Sequence, residues 1–278
     1  MFSEKYGYVA SKEIQYENIS QELRNRIWNL FYQTEIKEGG LSSERLSLTL
    51  KGAQTIEEKI VDRFGLLINV AKGKSTDEQL KQYVLKFFRW YEVYDFIEIH
   101  ISYLGEDNRK ERIKQYNNLL EQEKAGYRVV NGVIAPITNE SEIKAIEQAS
   151  NSKFLSVNQH IQKALNFYAD IQTPDYENSV KESISAVEAM CCIINGMSGA
   201  NATLGKAIKK LKDNGIHIHS AMENAFLSLY GYTSDENGIR HGGIDFTSVP
   251  AEDAKYMLVS CSGFVNYLIE KYQQIEKG

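Results

Sequence analysis

The chain has little of what would mark a secreted, membrane-spanning or strongly basic protein. Its 278 residues include only three cysteines and three prolines. Cys191 and Cys192 are adjacent and Cys261 stands alone, so there is no framework of paired spacings, and the thiols read as reduced and buried. Long apolar runs are missing as well. FGLLINV and MLVSCSGFVNYLI are too short or too interrupted by polar groups to cross a bilayer, and MFSEKYGY lacks the basic flank and apolar core of a signal peptide. These absences predict a cytoplasmic protein with no membrane partner. Positive charge is not in excess either: the net charge is -5 and the pI about 5.7. Nucleic-acid binding through the charge of the whole molecule is thereby excluded, and only a local patch could support it. No Gly-rich phosphate loop of the Walker type and no nucleophile elbow occurs. His217 and His219 alternate in IHIHS, but no cysteine or carboxylate cluster surrounds them to complete a metal shell, so neither a metal nor a cofactor is expected.

What is present is a soluble globular composition, 42% hydrophobic and 25% charged, in a chain long enough for one large or two ordinary domains. Scarce proline and long periodic segments predict an all-α protein. In the amino-terminal part the pattern predicts helices over 17–37, 54–71, 76–103 and 106–125. The aromatic run FFRWYEVYDFIEIH, residues Phe87 to His100, has helical spacing and reads as core, as do Tyr6, Tyr8 and Trp28. In YRVVNGVIAPI, β-branched residues flank Asn131-Gly132, a pair that tolerates the positive φ of a type I′ turn, so a short hairpin is expected there. It divides the chain into an amino-terminal helical domain over 1–124, a hairpin and connecting helix over 125–150, and a second helical bundle over 151–278.

A connecting helix is expected over 140–149, and in the second bundle helices are expected over 152–171 and after Pro174, where Asp175 can cap. Val180, Ile184, Val187, Cys191 and Ile194 recur at helical spacing and draw one apolar stripe. A last helix begins near Pro250, with Glu252 and Asp253 at its positive end and Met257, Leu258, Cys261, Val265, Leu268 and Tyr272 as a second stripe. GKAIKKLK crowds Lys206, Lys209, Lys210 and Lys212 onto one short segment, the best local patch for RNA, with Lys206, Lys209 and Lys210 as its candidate contacts.

Between these helices lies SDENGIRHGG. Gly231 and Thr233-Ser234-Asp235 interrupt the preceding helix, and Gly238 permits a close turn. Arg240 offers a planar fork of donors and His241 a group that exchanges protons near neutral pH. Phosphodiester cleavage needs both: one group to move protons, another to hold charge developing on phosphoryl oxygens. Glu182 and Ser185 fall off the apolar stripe at a spacing of three and could orient His241, pair with Arg240 or form a structural ion pair. Asp235 and Glu236 either cap a helix near Gly238 or line a site, with capping favoured for Asp235.

FSEKYGY followed by ISQELRNRIWN resembles the amino-terminal domain of bacterial abortive-infection proteins of the AbiJ type. YRVVNGVIAPI, DYENSVKESISAVEAM, TLGKAIKKL and LYGYTSDENGIRHGG resemble the linker and carboxy-terminal region of the same proteins, which belongs to the HEPN superfamily of small helical bundles. The resemblance implies an antiphage protein acting as a metal-independent RNA endonuclease and working as a homodimer through its carboxy-terminal bundle. His241 would be the general base or acid, Arg240 the clamp on the scissile phosphate, the ribose 2′-hydroxyl the nucleophile, and a phage-derived trigger would release the activity. The superfamily's usual signature places four to six residues between its arginine and the histidine. Here Ser234, Asp235 and Glu236 stand in those positions and Arg240 is adjacent. The alternative is a non-catalytic HEPN module that dimerises or binds RNA or a nucleotide, Arg240 and His241 serving only the turn.

Overall fold

A computed structural model describes residues 6, 12–38, 55–66, 76–170, 172–197, 204–234 and 249–276. They form an all-α protein of eleven α-helices with one two-stranded hairpin, divided into two compact units, Met1–Thr138 and Asn139–Gly278. The division falls within the stretch 125–150: the hairpin packs inside the first unit and the helix after it inside the second.

In the first unit, helix α1 (Gln21–Phe31) starts where the Ser20 hydroxyl accepts the Leu23 N–H. Its start is later than the expected residue 17 because Glu17 takes a positive φ of 51°. Leu23, Ile27, Trp28 and Phe31 form its buried face. The chain continues as a wider π-turn, Tyr32–Glu38, in which Thr34 Oγ1 donates to the Leu30 carbonyl. Helix α2 (Ile56–Arg63) begins on a capping box, Thr55 with Glu58, and stops well short of residue 71 because Gly65 turns left-handed. Residues 67–71 lie outside the described residues.

The helix expected over 76–103 is two helices. α3 (Thr76–Gln82) runs into a π-turn, Tyr83–Phe87, and α4 (Trp90–Ser102) restarts at an extended Arg89. The cause is local: the Glu92 carboxylate accepts the Arg89 backbone N–H at 2.6 Å, which fixes a new helix start that apolar periodicity does not reveal. Most of the aromatic run is core, with Phe88, Tyr94, Phe96 and His100 buried, while Phe87 is exposed. Trp28 is buried as expected; Tyr6 is exposed, contrary to its reading as core, and Tyr8 lies outside the described residues.

Helix α5 (Glu106–Gln122) packs on α1 and α4 and ends where Lys124 takes a positive φ. An extended segment is stitched to this end. Gln15 N–H donates to the Lys124 carbonyl, Gly126 N–H donates to the Gln15 carbonyl, and the Glu123 carboxylate accepts from Lys12 and Arg26. The Tyr16 ring lies so close over Gly126 that a Cβ there would clash. Strands β1 (Arg128–Val130) and β2 (Val133–Ala135) pair antiparallel about Asn131 and Gly132, whose φ values of 47° and 88° are those a type I′ turn requires.

The second unit is a helical bundle. α6 (Glu140–Ser150), α7 (Leu155–Ala169), α8 (Tyr176–Asn195) and α11 (Ala251–Glu276) pack together, with α6 and α8 each against both α7 and α11. The expected stripe on α8 is its buried face, Val180, Ile184, Val187, Cys191 and Ile194 all being at most 7% exposed. Each buried valine or isoleucine contributes about 1.5–3 kcal/mol. Asp175 caps the helix as expected, accepting the Asn178 N–H at 3.0 Å. Met257, Leu258, Cys261, Val265 and Leu268 of α11 are buried opposite, and the partly exposed Tyr272 lies against Phe154. α9 (Leu204–Lys210), extended by a 3₁₀ turn Leu211–Asn214, packs on α8, and α10 (Ser220–Ser234) follows it. α10 runs through Gly231 to Ser234, so the interruption expected at Gly231 does not occur. No helix among the described residues is long and apolar enough to cross a membrane.

Candidate functional site

Arg240, His241, Asp235 and Glu236 lie outside the described residues, but the elements on either side of them are defined. The segment that carries them joins Ser234, the end of α10, to Pro250 and the first turn of α11. Between those two helices lies a cavity of about 430 Å³ lined by Ala225, Ser228 and Leu229 of α10 and Asp253, Tyr256 and Met257 of α11. Its lining follows from helical spacing, since each helix contributes positions i, i+3 and i+4 of one face. Farther along the same seam the Phe226 and Phe264 rings stack and hold the two helices together.

The lysine patch is formed as its spacing implied. On α9, Leu204, Ala207, Ile208 and Leu211 are buried, while Lys206, Lys209 and Lys210 project to solvent from the opposite face. Two polar contacts fix this helix on α8: Asn195 Nδ2 donates to the Ala207 carbonyl at 2.8 Å, and the Glu188 carboxylate accepts the Leu204 N–H at 3.3 Å. Lys212, one turn on, is engaged with Glu223 at 3.2 Å. Ile216 and Ile218 point inward and His217 and His219 outward along the extended segment that follows. Among the described residues no group of three or more metal-ligating side chains occurs.

Glu182 has a definite partner, a residue that reading the sequence overlooked. Its Oε2 lies 2.6 Å from Nδ1 of His160 on α7, and the two side chains are 24% and 32% exposed. The local sequence explains the meeting. His160 precedes the buried Ile161 on α7 and Glu182 precedes the buried Ser183 on α8, so each stands at the edge of its helix's buried face. The helices run antiparallel: Ser179 meets Ala164, its hydroxyl donating to that carbonyl at 2.8 Å, and one turn on Glu182 meets His160. A histidine and a glutamate at the margins of two facing apolar stripes were the available signal. Ser185, one turn beyond Glu182, turns its hydroxyl to the Lys181 carbonyl of its own helix at 2.9 Å.

A second histidine–carboxylate cluster lies in the core of the first unit. His100 Nδ1 is 2.8 Å from the Tyr116 hydroxyl and Nε2 is 3.2 Å from Glu35 Oε1, while Arg112 reaches the same carboxylate oxygen at 2.9 Å. Burial pushes Glu35 upward, but the His100 hydrogen bond and the charge of Arg112 outweigh it and hold the carboxyl below its ordinary value. Burial pushes the His100 imidazole below its ordinary value despite the pull of Glu35. A neutral imidazole facing a carboxylate carries its proton on Nε2, so Nδ1 accepts from Tyr116. With His100 and Tyr116 at 0% exposure, this cluster is closed to any substrate.

Residues 1–152 match the family AbiJ N-terminal domain 4. Comparison with curated proteins and with solved structures yields no match.

Proposed function

The chain belongs to the AbiJ N-terminal domain 4 family of abortive-infection proteins, and from that premise we propose that its carboxy-terminal unit is a HEPN-type, metal-independent RNA endonuclease of antiphage defence. The observation that carries the reading is the join between α10 and α11. In the sequence the Arg240-His241 dipeptide falls between two helices of one bundle that also exposes Lys206, Lys209 and Lys210 on α9. The lysines attract the RNA backbone, Arg240 holds the charge on the phosphoryl oxygens, and His241 moves a proton at the attacking or leaving oxygen. The products are a 2′,3′-cyclic phosphate and a 5′-hydroxyl. On this reading the protein is cytoplasmic, dimerises through the carboxy-terminal bundle and is released by a phage-derived trigger.

The test is to incubate the purified protein with total bacterial RNA in EDTA beside His241→Ala and Arg240→Ala. Fragments ending in 2′,3′-cyclic phosphate that fall about 10² to 10⁴ in rate without His241 establish the activity. Equal cleavage by all three proteins overturns it.

A second reading is favoured by Ser185, whose hydroxyl is spent on its own helix, and by the adjacency of Arg240 and His241, since neighbours on a helix point about 100° apart. In that reading the bundle is a non-catalytic module that dimerises or binds RNA. A wild-type protein that retains RNA on a gel but never cleaves it, with or without extract from phage-infected cells, selects this reading.

A further inference from the structure

The aromatic run at the break between α3 and α4 leaves one ring standing in solvent. Phe87 is 67% exposed while its neighbour Phe88 is buried. Burying such a ring would stabilise the fold by about 1.5–3 kcal/mol, so its exposure calls for a reason. The local backbone shows how it arises. The π-turn Tyr83–Phe87 ends at Phe88, which is extended, and Arg89 is extended as well before α4 begins. Side chains alternate along extended backbone, so with Phe88 turned inward, Phe87 and Arg89 leave the surface on the same side.

The mounting of these side chains is firm. The Tyr83 ring meets Phe87 edge-on at 5.7 Å and Phe88 at 5.8 Å, and Phe88 packs on Phe64 at 4.5 Å. Arg89 Nη1 donates to the Tyr91 hydroxyl at 2.7 Å, and the Tyr91 ring abuts Trp90 at 5.6 Å. Charge is one-sided at the same place. The stretch from Lys81 to Tyr91 holds three cations, Lys81, Lys86 and Arg89, and no carboxylate. Lys86 and Arg89 are exposed, and neither forms an ion pair among the described residues. Glu92, the next acidic residue, is turned to the Arg89 backbone N–H at 2.6 Å. We propose that this break is a docking surface for single-stranded nucleic acid, with Phe87 stacking on a base while Lys86 and Arg89 hold the flanking phosphates.

The choice of partner follows from the chemistry of the patch. Every base presents a π-face, and a ring held in place by its neighbours can stack on one whatever the sequence. An apolar protein partner would need a broad apolar area, whereas here a single ring stands among cations, which suits a polyanion. A duplex hides its base faces in its own stack, so Phe87 favours single strands. Lys86, Phe87 and Arg89 follow one another in the chain and therefore share one site. The inference concerns the first unit alone and goes beyond the ribonuclease reading, since it requires neither His241 nor the lysines of α9.

The test is fluorescence anisotropy of the full chain with labelled single strands of about 12 nucleotides. One strand is thymidine DNA and the other 2′-O-methyl uridine RNA, and neither offers the 2′-hydroxyl that cleavage would use. Binding of either supports the inference, and the tighter of the two identifies the source. Phe87→Ala should weaken binding about 5- to 150-fold, while Phe87→Trp, which keeps a stacking ring, should retain it. An abasic strand of the same charge should bind the wild type as weakly as the complete strand binds Phe87→Ala. Lys86→Gln combined with Arg89→Gln should reduce the slope of log affinity against log salt by roughly 1.4, at about 0.7 for each phosphate no longer neutralised. Because Phe87 is exposed, its replacement leaves the core intact, and an unchanged urea midpoint verifies this. No binding by the wild type, equal affinities for wild type and Phe87→Ala, or equal affinities for the abasic and complete strands overturns the inference. Binding that disappears in the triple variant Lys206→Gln, Lys209→Gln, Lys210→Gln but is unchanged in Phe87→Ala also overturns it and assigns the nucleic acid to α9.

Discussion

Each unit of the molecule joins a histidine to a glutamate across two structural elements, and the two pairs sit in opposite surroundings. His100 and Glu35 are buried among Phe31, Phe96 and Tyr116, with Arg112 supplying the compensating charge. His160 and Glu182 stand at the rim of an antiparallel helix pair with water on one side. The first arrangement is held by desolvation: the imidazole is kept neutral, every change of protonation is costly, and no substrate can reach it. The second contributes little to folding because solvent screens it. The same two side-chain types are thus a sealed structural joint in one unit and a solvent-facing pair in the other, and burial decides which.

The largest effect should come from removing the countercharge in the buried cluster. Arg112→Leu leaves Glu35 ionised in an apolar setting and should destabilise the first unit by about 3–5 kcal/mol in urea denaturation. A loss under about 1 kcal/mol would mean that the cluster is not closed to water.

A pH scan sharpens the contrast next. Because the folded-state pKa of His100 lies below its ordinary 6.5, the unfolded chain binds the extra proton as pH falls through that value while the folded chain does not. Stability therefore decreases below about pH 6.5 with a slope of at most about 1.4 kcal/mol per pH unit from this residue. Glu35, depressed from its ordinary 4.5, adds a loss of the same sign at lower pH, as the carboxylate is protonated. The urea midpoint should fall between pH 7 and 5 in the wild type, and that fall should flatten in His100→Gln; an unchanged slope would contradict the assignment.

Tyr116→Phe removes the hydroxyl that satisfies His100 Nδ1 and should cost about 1–3 kcal/mol, measured at pH 7 where the imidazole is neutral. The smallest change is expected at the rim: Glu182→Gln should alter stability by no more than about 1 kcal/mol. A loss of several kcal/mol there would erase the distinction between the two pairs and make His160–Glu182 a structural joint as well.

Much of the fold was legible because it depends on contacts near in sequence. The Asp175 cap, the α8 stripe and the Asn131-Gly132 turn all depend on residues within a few positions of one another. The break at Arg89 was not, since alternating apolar residues run straight across it and only the Glu92 side chain reveals the new start. In the candidate site, the exposed lysine face of α9 could be read from spacing and the partner of Glu182 could not, because His160 is 22 residues away on another helix.

By itself the sequence determined an all-α chain with its caps, its apolar faces and its hairpin, since each of these is a local preference for backbone angles or a periodicity of side chains. Only the tertiary structure decided which ionisable groups meet and which of them meet water. Glu35 with His100 and Glu182 with His160 are pairings across the folded chain, and their opposite exposure comes from how helices cover one another, a property that no single segment carries.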